Sequence, residues 1–229
     1  MDGHWHLGEE DFFQDLELEK QAFMRLARRR DLKKNDIIFF EDDQGATCFY
    51  LEKGLIKIFQ ISFSGKEPIF FLRRGGEMFG LAEVLESVPR KANAQALVPC
   101  TLYEIGRREF ESFLENNFRA TRKVITTMGR RLRYLSDQIG SLMVCDVGTR
   151  LAKLLVYISY ERLSSEESWQ APAIIPIKLT QDQMASMTGS CQQTISKFLK
   201  QFQEEELITI KNKKITIINP LKLLEKAEI

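Results

Sequence analysis

The segment TQDQMASMTGSCQQTISKFLKQF, residues 180–202, contains two helix-length patterns separated by a turn with one glycine. Thr180 followed by Gln183 forms a capping box that predicts the start of the first helix, and Ser190 with Gln193 predicts the start of the second. Two helices that meet at a short glycine turn are typical of the helix-turn-helix motif. The segment therefore predicts a helix-turn-helix.

The second predicted helix has one apolar and one polar face. Ile195, Leu199 and Phe202 recur at i, i+4 and i+7, which predicts a buried stripe. The opposite face carries amide, hydroxyl and amine groups, which suit base edges and phosphates. Its members are Gln192, Gln193, Ser196, Lys197 and Lys200. Two alternatives stay open, because the face could be an ordinary solvated surface and Gln193 could cap its own helix.

A basic hairpin is expected to follow the two helices. The apolar segments LITI and ITIIN flank the tip KNKK, residues 211–214, and Lys213 in this tip is expected to contact a phosphate. An amphipathic helix at 149–161 and a short strand, AIIPIKL, precede the helix-turn-helix. Residues 146–229 are therefore predicted to form a winged helix-turn-helix domain that binds DNA.

The chain from residue 32 to residue 105 is expected to form short strands. The segments IIFF, CFYLEKGLIKIFQIS, EPIFFLRR and ALVPCTLYEI are rich in aromatic and β-branched residues, and glycines mark the corners between them. Residues 64–66, Ser-Gly-Lys, are typical of a hairpin turn. The spacing favours a small sandwich or barrel-like roll, and no helix-length pattern interrupts these strands before residue 107.

A heptad pattern follows the strands. Apolar positions from residue 118 to residue 142 alternate in steps of three and four, with no proline among them. We expect residues 108–145 to form a helix that pairs with the same helix of a second chain, although the stripe could instead pack on the strand domain. The candidate dimer contacts are Ile125, Met128, Leu132, Leu135 and Ile139.

Composition and charge indicate a soluble protein. The chain has 229 residues, 28% of them charged and 44% hydrophobic, with a net charge of +1. No apolar run is long enough for a membrane span, and the N-terminus is acidic where a signal peptide would be basic. We therefore expect a cytoplasmic protein without a membrane partner.

Cysteine and histidine usage argues against metal sites and catalysis. Cys48, Cys100, Cys145 and Cys191 are scattered without the short spacing of a zinc or iron–sulfur site. The two histidines, His4 and His6, lie in the N-terminal tail, which leaves little scope for histidine-based acid–base chemistry. We expect no enzyme and mostly buried, reduced thiols, although a redox role for Cys48 or Cys100 stays open.

Taken in order, these motifs resemble the CRP/FNR superfamily of transcription regulators along nearly the whole chain. The resemblance depends on GEMFG at 76–80, the long helix, DVGTRLAKLL at 146–155 and the segment 179–208. It implies an α+β fold: residues 1–107 form a cyclic-nucleotide-binding-like β-roll with an N-terminal helical segment, followed by the dimerisation helix and the winged domain. It also implies a homodimer that binds a palindromic operator in double-stranded DNA, a small-molecule effector, and RNA polymerase as a candidate partner.

The chain departs from the family's cyclic AMP cassette. The family's Gly-Glu-Leu is Gly80-Leu81-Ala82 here, and its Arg-Ser-Ala is Arg90-Lys91-Ala92. The resemblance aligns the family's adenine-contacting threonine with Leu135, beside Ser136. Polar groups of a bound cyclic AMP would go unpaired, so we expect no response to it.

The effector is accordingly expected to be some other small molecule. Arg90 and Lys91 are adjacent cations that could bind a carboxylate or phosphate, or could equally be an exposed basic loop. An iron–sulfur cluster is not expected, because the N-terminal cysteine cluster of FNR is absent, nor is haem, because the effector domain has no histidine. The candidate effector-binding residues are Gly80, Leu81, Arg90, Lys91, Leu135 and Ser136.

The recognition helix also departs from the family, which often carries Arg-Glu at 192–193 and Arg at 197. Gln pairs best with adenine, so the half-site is expected to differ from the usual G-T-G-A or T-T-G-A-T. Lys197 would contact guanine as a point charge. A rival hypothesis is a regulatory module that binds a small molecule and controls a protein partner without binding DNA.

Overall fold

The computed structural model describes residues 11–63, 65–159, 162–163 and 167–227. The chain forms two compact units, one up to Arg131 and one from Leu132 onward. Ser64 of the predicted turn, and the tail with His4 and His6, lie outside the described residues.

The first unit is a β-roll with helices. Its strands are β1 (Arg28–Leu32), β2 (Ile37–Phe39), β3 (Thr47–Lys53), β4 (Leu55–Phe59), β5 (Ile69–Arg74), β6 (Met78–Phe79), β7 (Asn93–Ala96) and β8 (Cys100–Gly106). Its helices are α1 (Glu17–Leu26), α2 (Leu81–Glu86), α3 (Arg107–Asn116) and the start of α4 (Phe118–Val144). The roll predicted from the glycine-punctuated apolar segments is confirmed.

Two four-stranded antiparallel sheets form this roll. Their strand orders are β1-β8-β3-β6 and β2-β7-β4-β5. Side chains from both sheets pack into one apolar core, in which the rings of Phe49 and Phe79 stack with centroids 4.9 Å apart. Ile56 and Leu102 of this core are fully buried, and each such side chain contributes about 1.5–3 kcal/mol. This shared core joins the two sheets of the roll.

The expectation that no helix interrupts the strands is wrong, because α2 lies between β6 and β7, whereas α1 lies in the N-terminal segment for which a helix was expected. The six residues of α2, LAEVLE, are too few to display a helical period. Strand β1, with the sequence RRRDL, also escapes the pattern, since four of its five residues are charged. Its side chains are mostly exposed at a sheet edge, where charge discourages pairing with other chains.

Helices α1, α3 and α4 pack against the roll through a second apolar cluster. Phe23, Phe110 and Phe113 lie in it with the first turns of α4, and Phe23 meets Phe113 edge to face at 5.6 Å. Ala120 and Val124 are the buried residues of α4 in this cluster. The roll is therefore covered by a stripe of α4 that is distinct from the heptad positions, apart from Met128, which packs partly against the cluster.

The segment 108–145 holds two helices where one was expected. Helix α3 ends at Asn116 and α4 begins at Phe118, with the non-helical Asn117 between them. The side chain of Asn117 donates to the carbonyl of Phe113 at 2.8 Å, which satisfies a group at the end of α3. No sequence signal marks this break, because the apolar repeat begins only at Phe118, after Asn117.

The second unit contains the end of α4, four further helices and a small sheet. Its elements are α5 (Val147–Ser159), a 3₁₀ turn (Glu167–Gln170), β9 (Ala173–Ile174), α6 (Gln181–Thr188), α7 (Gln192–Glu204), β10 (Ile208–Lys211), β11 (Lys214–Ile217) and α8 (Pro220–Ala227). The three strands are antiparallel in the order β10-β11-β9. This is the predicted winged helix-turn-helix.

The predicted strand AIIPIKL is shorter than its apolar run. Ile174 pairs with Thr216, and the backbone N–H of Ile175 still donates to Ile215 at 3.0 Å. Pro176 follows and has no N–H to donate, so the ladder cannot continue through it. Strand β9 is therefore reduced to two residues.

One of the two predicted capping boxes is confirmed. Thr180 accepts from the N–H of Gln183, whose side chain in turn accepts from the N–H of Thr180, so α6 begins as expected. The box at Ser190 is wrong, because α7 begins one residue later, with Cys191 as its N-cap and without a side-chain cap. The tight turn needs a left-handed residue at Gly189, with φ of 60°, and the N–H of Ser190 donates to the carbonyl of Ala185.

Candidate nucleic-acid interface and effector site

Helix α7 separates its two faces as its sequence indicates. Ile195, Leu199 and Phe202 are buried at 0%, 2% and 1% exposure. All five predicted DNA-contacting side chains of this helix are exposed, and they are Gln192, Gln193, Ser196, Lys197 and Lys200. The turns of α7 bring these polar groups onto the face opposite the core.

The start of α7 leaves polar groups available. Gln193 is the second residue of the helix, so it does not reach back to Ser190 as the capping hypothesis required. In the part of the chain that the structure describes, its side chain has no hydrogen-bond partner. Because the N-cap residue Cys191 makes no side-chain capping hydrogen bond, the first N–H groups of α7 can meet an anion.

Cys191 lies at this helix start and is exposed. Its sulfur is 3.1 Å from the hydroxyl oxygen of Thr194. This hydrogen bond, with the N–H groups at the helix start, lowers the pKa of the Cys191 thiol. The position favours negative charge, as expected for the positive end of a helix dipole.

The two lysines of the α7 face differ in their surroundings. Lys200 lies 3.6 Å from Glu204 one turn later, an exposed pair that contributes little to stability. Lys197 forms no ion pair with any residue the structure describes. Its ammonium group is therefore the more readily available cation of the helix.

The predicted wing is a tight hairpin between β10 and β11. Asn212 and Lys213 form its two-residue turn and both have positive φ, 52° and 61°. This is the arrangement of a type I′ turn, in which Asn is common and Lys is not. The turn exposes Lys213 at the tip, with Lys211 and Lys214 at the ends of the two strands.

Arg150 holds the helix-turn-helix in place, a role that sequence reasoning missed. Its Nε donates to the carbonyl of Thr188 at 2.8 Å, and one terminal nitrogen donates to the carbonyl of Cys145 at 2.6 Å. These carbonyls end α6 and follow α4, so one guanidinium joins two chain segments around α5. Arg150 is the arginine of the DVGTR motif, which was the available signal.

Asp146 fixes the beginning of α5 beside Arg150. Its carboxylate accepts from the N–H of Thr149 at 2.7 Å. This backbone hydrogen bond lowers the pKa of Asp146. The DVGTR motif therefore combines a helix cap with a clamp between segments.

The two basic residues Arg90 and Lys91 differ in their burial. Arg90 is 1% exposed, so it is not part of an exposed loop, whereas Lys91 is exposed. One terminal nitrogen of Arg90 lies 3.3 Å from the carbonyl of Gly80 and 3.2 Å from the carboxylate of Glu83, and the other donates to the carbonyl of Thr47.

Aromatic rings surround the same guanidinium. Its central carbon lies 4.3 Å from the ring centre of Phe39 and 5.7 Å from that of Phe49. Burial lowers the pKa of Arg90, while the charge and hydrogen bond of Glu83 act in the opposite direction. Arg90 keeps its charge in this site, since arginine is not deprotonated in proteins.

Gly80 and Leu81 shape the site without contributing side-chain polar groups. Leu81 is 2% exposed and lies in the apolar cluster under α1 and α3. Gly80 has φ of 71°, and a Cβ there would lie 2.8 Å from a nitrogen of Arg90. A side chain at this position would thus be strained and would press on the guanidinium.

The remaining two candidate effector residues belong to the second unit. Leu135 is 38% exposed on α4. The hydroxyl of Ser136 donates to the carbonyl of Leu132 at 3.1 Å, one turn earlier on the same helix. Ser136 is exposed, and its hydroxyl is partly occupied by this local bond.

The heptad stripe of α4 is displayed to solvent in the single chain. Large apolar side chains this exposed are uncommon in a row on one helix face. The exposed fractions are 66% for Ile125, 66% for Leu132, 38% for Leu135, 58% for Ile139 and 55% for Leu142. The stripe is therefore a row of exposed apolar side chains on one face of α4.

The two cysteines of the roll lie in its interior. Cys48 and Cys100 are buried, and burial raises the pKa of each. This weighs against the open redox role. Among the residues described, no three His, Cys, Asp or Glu side chains form a cluster that could hold a metal. No helix in the described ranges is both long and apolar enough to cross a membrane.

Two family models match the chain. Residues 29–117 match the cyclic nucleotide-binding domain, and residues 149–226 match the Crp-like helix-turn-helix domain. The cAMP-activated global transcriptional regulator CRP of Pasteurella multocida (strain Pm70) is 27% identical over 176 residues, which cover 76% of this chain and 82% of that protein. The CRP-like cAMP-activated global transcriptional regulator of Mycobacterium tuberculosis (strain H37Rv) is 22% identical over 197 residues, covering 86% of this chain and 87% of that protein.

Solved structures share the same architecture. FixK2 from Bradyrhizobium japonicum has a TM-score of 0.76 and 18% identity, with 89% of this chain and 98% of that chain covered. The c-di-GMP-responsive global regulator CLP of Xanthomonas campestris has a TM-score of 0.74 and 18% identity, with coverages of 89% and 99%. These likenesses establish the shared fold.

Proposed function

Because this chain belongs to the CRP/FNR superfamily of transcription regulators, we propose that it acts as an effector-responsive homodimer that binds DNA through α7 and the wing. The family is one of regulators rather than enzymes, and we infer no catalytic activity. RNA polymerase is the partner through which such a regulator would change transcription.

The exposed face of α7 carries this proposal. The side chains of Gln192 and Gln193 can hydrogen-bond to adenine, and Lys197 can donate to guanine. The hydroxyl of Ser196 can donate to or accept from a base edge. The uncapped helix start adds N–H groups that suit a phosphate. These groups occupy one side of a helix whose other side is buried, which supports insertion of α7 into the major groove.

The wing supports a separate, sequence-independent contact. Lys213 lies at the tip of a two-residue turn, where its side chain is exposed and its ammonium group can contact a phosphate. Phosphate contacts set affinity and position but carry no base information. We assign base readout to Lys197, Ser196 and the two glutamines, and backbone contact to Lys213, with Lys200 as an additional cation.

Homodimerisation would cover the exposed stripe of α4. Pairing of two such helices would bury Ile125, Leu132, Leu135 and Ile139, whose side chains face solvent in one chain, and the exposed part of Met128. A two-fold dimer reads two half-sites about one helical turn apart, so the operator should be roughly palindromic.

The effector is proposed to be a small anion other than cyclic AMP. Arg90 is a buried cation in the roll and Lys91 is an exposed cation beside it, which together favour a ligand with a phosphate or carboxylate. Leu81 offers a buried apolar side chain where the family's cyclic AMP cassette has a carboxylate. The two relatives that are described as cAMP-activated therefore do not define the effector of this chain.

A gel-shift assay with promoter fragments tests DNA binding. Run at two salt concentrations, a specific complex should weaken steeply as salt rises, because cations on α7 and the wing displace counterions from phosphates. A chain that binds no promoter fragment while it folds normally would instead support the regulatory module that acts on a protein partner.

Calorimetry with cyclic AMP tests the effector assignment. Cyclic AMP should give no measurable heat and no gain in DNA affinity, because Leu81 and Lys91 do not supply the contacts that its ribose and phosphate require. Micromolar binding would contradict the alignment of the cassette.

A further inference from the structure

The buried Arg90 already has an anionic partner from its own chain. The Glu83 carboxylate lies 3.2 Å from a terminal nitrogen of Arg90 and is the anion of the pair. Arg90 is 1% exposed and Glu83 is 20% exposed, so the pair reaches solvent on the side of the carboxylate. Glu83 belongs to α2, the short helix that follows Gly80. The anion therefore stands between solvent and the buried cation.

The backbone holds Glu83 close to Arg90. A Cβ on Gly45 would lie 2.5 Å from the Cβ of Glu83, so these two chain segments approach as closely as a glycine allows. The N–H of Arg90 also donates to the carbonyl of Asp43 at 2.8 Å, which fixes the cation against the same loop. The pair is thus built into the roll and is not a chance surface contact.

The guanidinium is not fully satisfied by its own chain. Its terminal nitrogens reach carbonyls of Gly80 and Thr47 as well as Glu83, but the buried Nε has no hydrogen-bond partner among the residues described. A buried donor without an acceptor is unfavourable, because it loses its hydrogen bond to water and gains none in return. An oxyanion of a ligand could accept a hydrogen bond from this unpaired Nε–H and take the place of the Glu83 carboxylate.

We propose that Glu83 is a built-in occupant of the anion site, and that an effector with a phosphate or carboxylate binds by replacing the Glu83 carboxylate at Arg90. This deepens the proposed function, on which its regulatory meaning rests. Ligand and Glu83 compete for one cation, so binding releases the side chain of Glu83 and with it a restraint on α2. The competition makes Glu83 a specificity-determining residue.

Charge balance explains why exchange, and not simple loss, is required. A buried arginine without its anion is strongly unfavourable, so the Glu83 carboxylate can leave only when another anion arrives. A neutral polar ligand would offer hydrogen bonds but no charge, and it would not displace Glu83. The site thereby selects for a ligand with a full negative charge, and it rejects neutral sugars or nucleosides.

The test titrates inorganic phosphate into the full chain, wild type and Glu83→Gln, by isothermal titration calorimetry. Glutamine keeps the shape of the side chain and removes its charge. We expect Glu83→Gln to bind phosphate at least about tenfold more tightly, since a charge-assisted hydrogen bond of the competitor is replaced by a neutral one. The matched control is Glu86→Gln, an exposed carboxylate of the same helix, which should bind phosphate like the wild type.

A gain that persists when Arg90→Gln is added to Glu83→Gln would place the phosphate elsewhere and overturn the proposal. Equal phosphate affinity in wild type and a folded Glu83→Gln would overturn it as well. If Glu83→Gln is too unstable to titrate, phosphate should raise its melting temperature more than that of the wild type, and the milder Glu83→Asp should show an intermediate gain. DNA binding is measured separately by gel shift, so failure here leaves the proposed DNA-binding function standing.

Discussion

The winged domain and the β-roll differ in the exposure of their candidate ligand-binding cations. Lys197 on α7 and Lys213 at the wing tip are exposed, and neither is tied to a carboxylate among the residues described. Arg90 in the roll is 1% exposed and bonded to Glu83 and to backbone carbonyls. The first arrangement suits a large polyanion that arrives from outside, and the second suits a small anion or an internal substitute for one.

This difference has consequences for mutation. An exposed cation can be removed without disturbing the fold, so its loss should be visible in binding alone. A buried cation is part of the packing, so its loss changes folding and binding together. Variants of the exposed surfaces are therefore the sharper tests.

Leu132→Asp should have the largest effect, because it places one charge from each chain in the proposed α4 interface. We expect the dimer to weaken by at least about 3 kcal/mol, since an unpaired charge is costly to bury. Light scattering and sedimentation should then report monomers. Folding of the single chain should be retained, because Leu132 is 66% exposed there.

The matched control for this variant is Thr126→Asp, an exposed position of the same helix outside the stripe. It should leave the dimer intact. If Leu132→Asp forms dimers of undiminished affinity, the stripe does not pair, and the exposed apolar side chains of α4 need another explanation.

Lys197→Ala should weaken binding to the operator by about 1–3 kcal/mol and relax the base preference at one half-site position. The physical reason is that a base-reading side chain loses its contact with the matching base and nothing with a mismatched one. Binding curves on the operator and on a scrambled duplex measure this. Equal losses on both duplexes would reduce α7 to a backbone contact at this position.

Lys213→Ala should produce a smaller loss that is the same on both duplexes. The slope of log affinity against log salt should fall by about one unit, as expected for the loss of one phosphate contact. Lys222→Ala, an exposed lysine of α8, serves as the control and should change neither quantity. A loss confined to the operator would show that the wing reads sequence.

Lys213→Gly sharpens the same comparison. It should weaken DNA binding like Lys213→Ala, but it should stabilise the fold, because Lys213 has φ of 61° in the turn. Glycine adopts this conformation without the penalty of roughly 1–2 kcal/mol that a side chain incurs. Urea denaturation compares the two variants, and a less stable glycine variant would contradict the strain argument.

The winged domain could be predicted from sequence because its signals are local. The apolar period of α7 lies within 13 residues, and the polar face follows from it without knowledge of any distant contact. The hairpin tip lies between two apolar runs that pair with each other directly. Local patterns of this kind survive in the final structure because tertiary packing agrees with them.

The roll site could not be predicted in the same way because its contacts are distant in sequence. Nothing in the loop around Arg90 indicates burial, which arises from Thr47 and from the ring of Phe39 on other strands. Glu83 lies in a helix too short to display a period, so its pairing with Arg90 was hidden as well. Both the burial of Arg90 and its pairing with Glu83 depend on contacts between residues that are distant in the sequence.

The starts of α6 and α7 differ, because the capping box predicted for α6 forms and the one predicted for α7 does not. The smallest effects are expected here. Thr180→Ala removes a hydroxyl that accepts from the N–H of Gln183 at 3.1 Å, and it should lower the free energy of unfolding by about 1 kcal/mol. Ser190→Ala should change it by less than about 0.5 kcal/mol, because α7 begins at Cys191 and the Ser190 side chain caps nothing. Both can be measured by urea denaturation followed through the fluorescence of Trp169, which is buried in the same unit, in a Trp5→Phe background. Equal losses for the two variants would mean that Ser190 caps α7 in solution. The hypothesis that Gln193 caps its own helix would then be supported, and Gln193 would no longer be assigned to base readout.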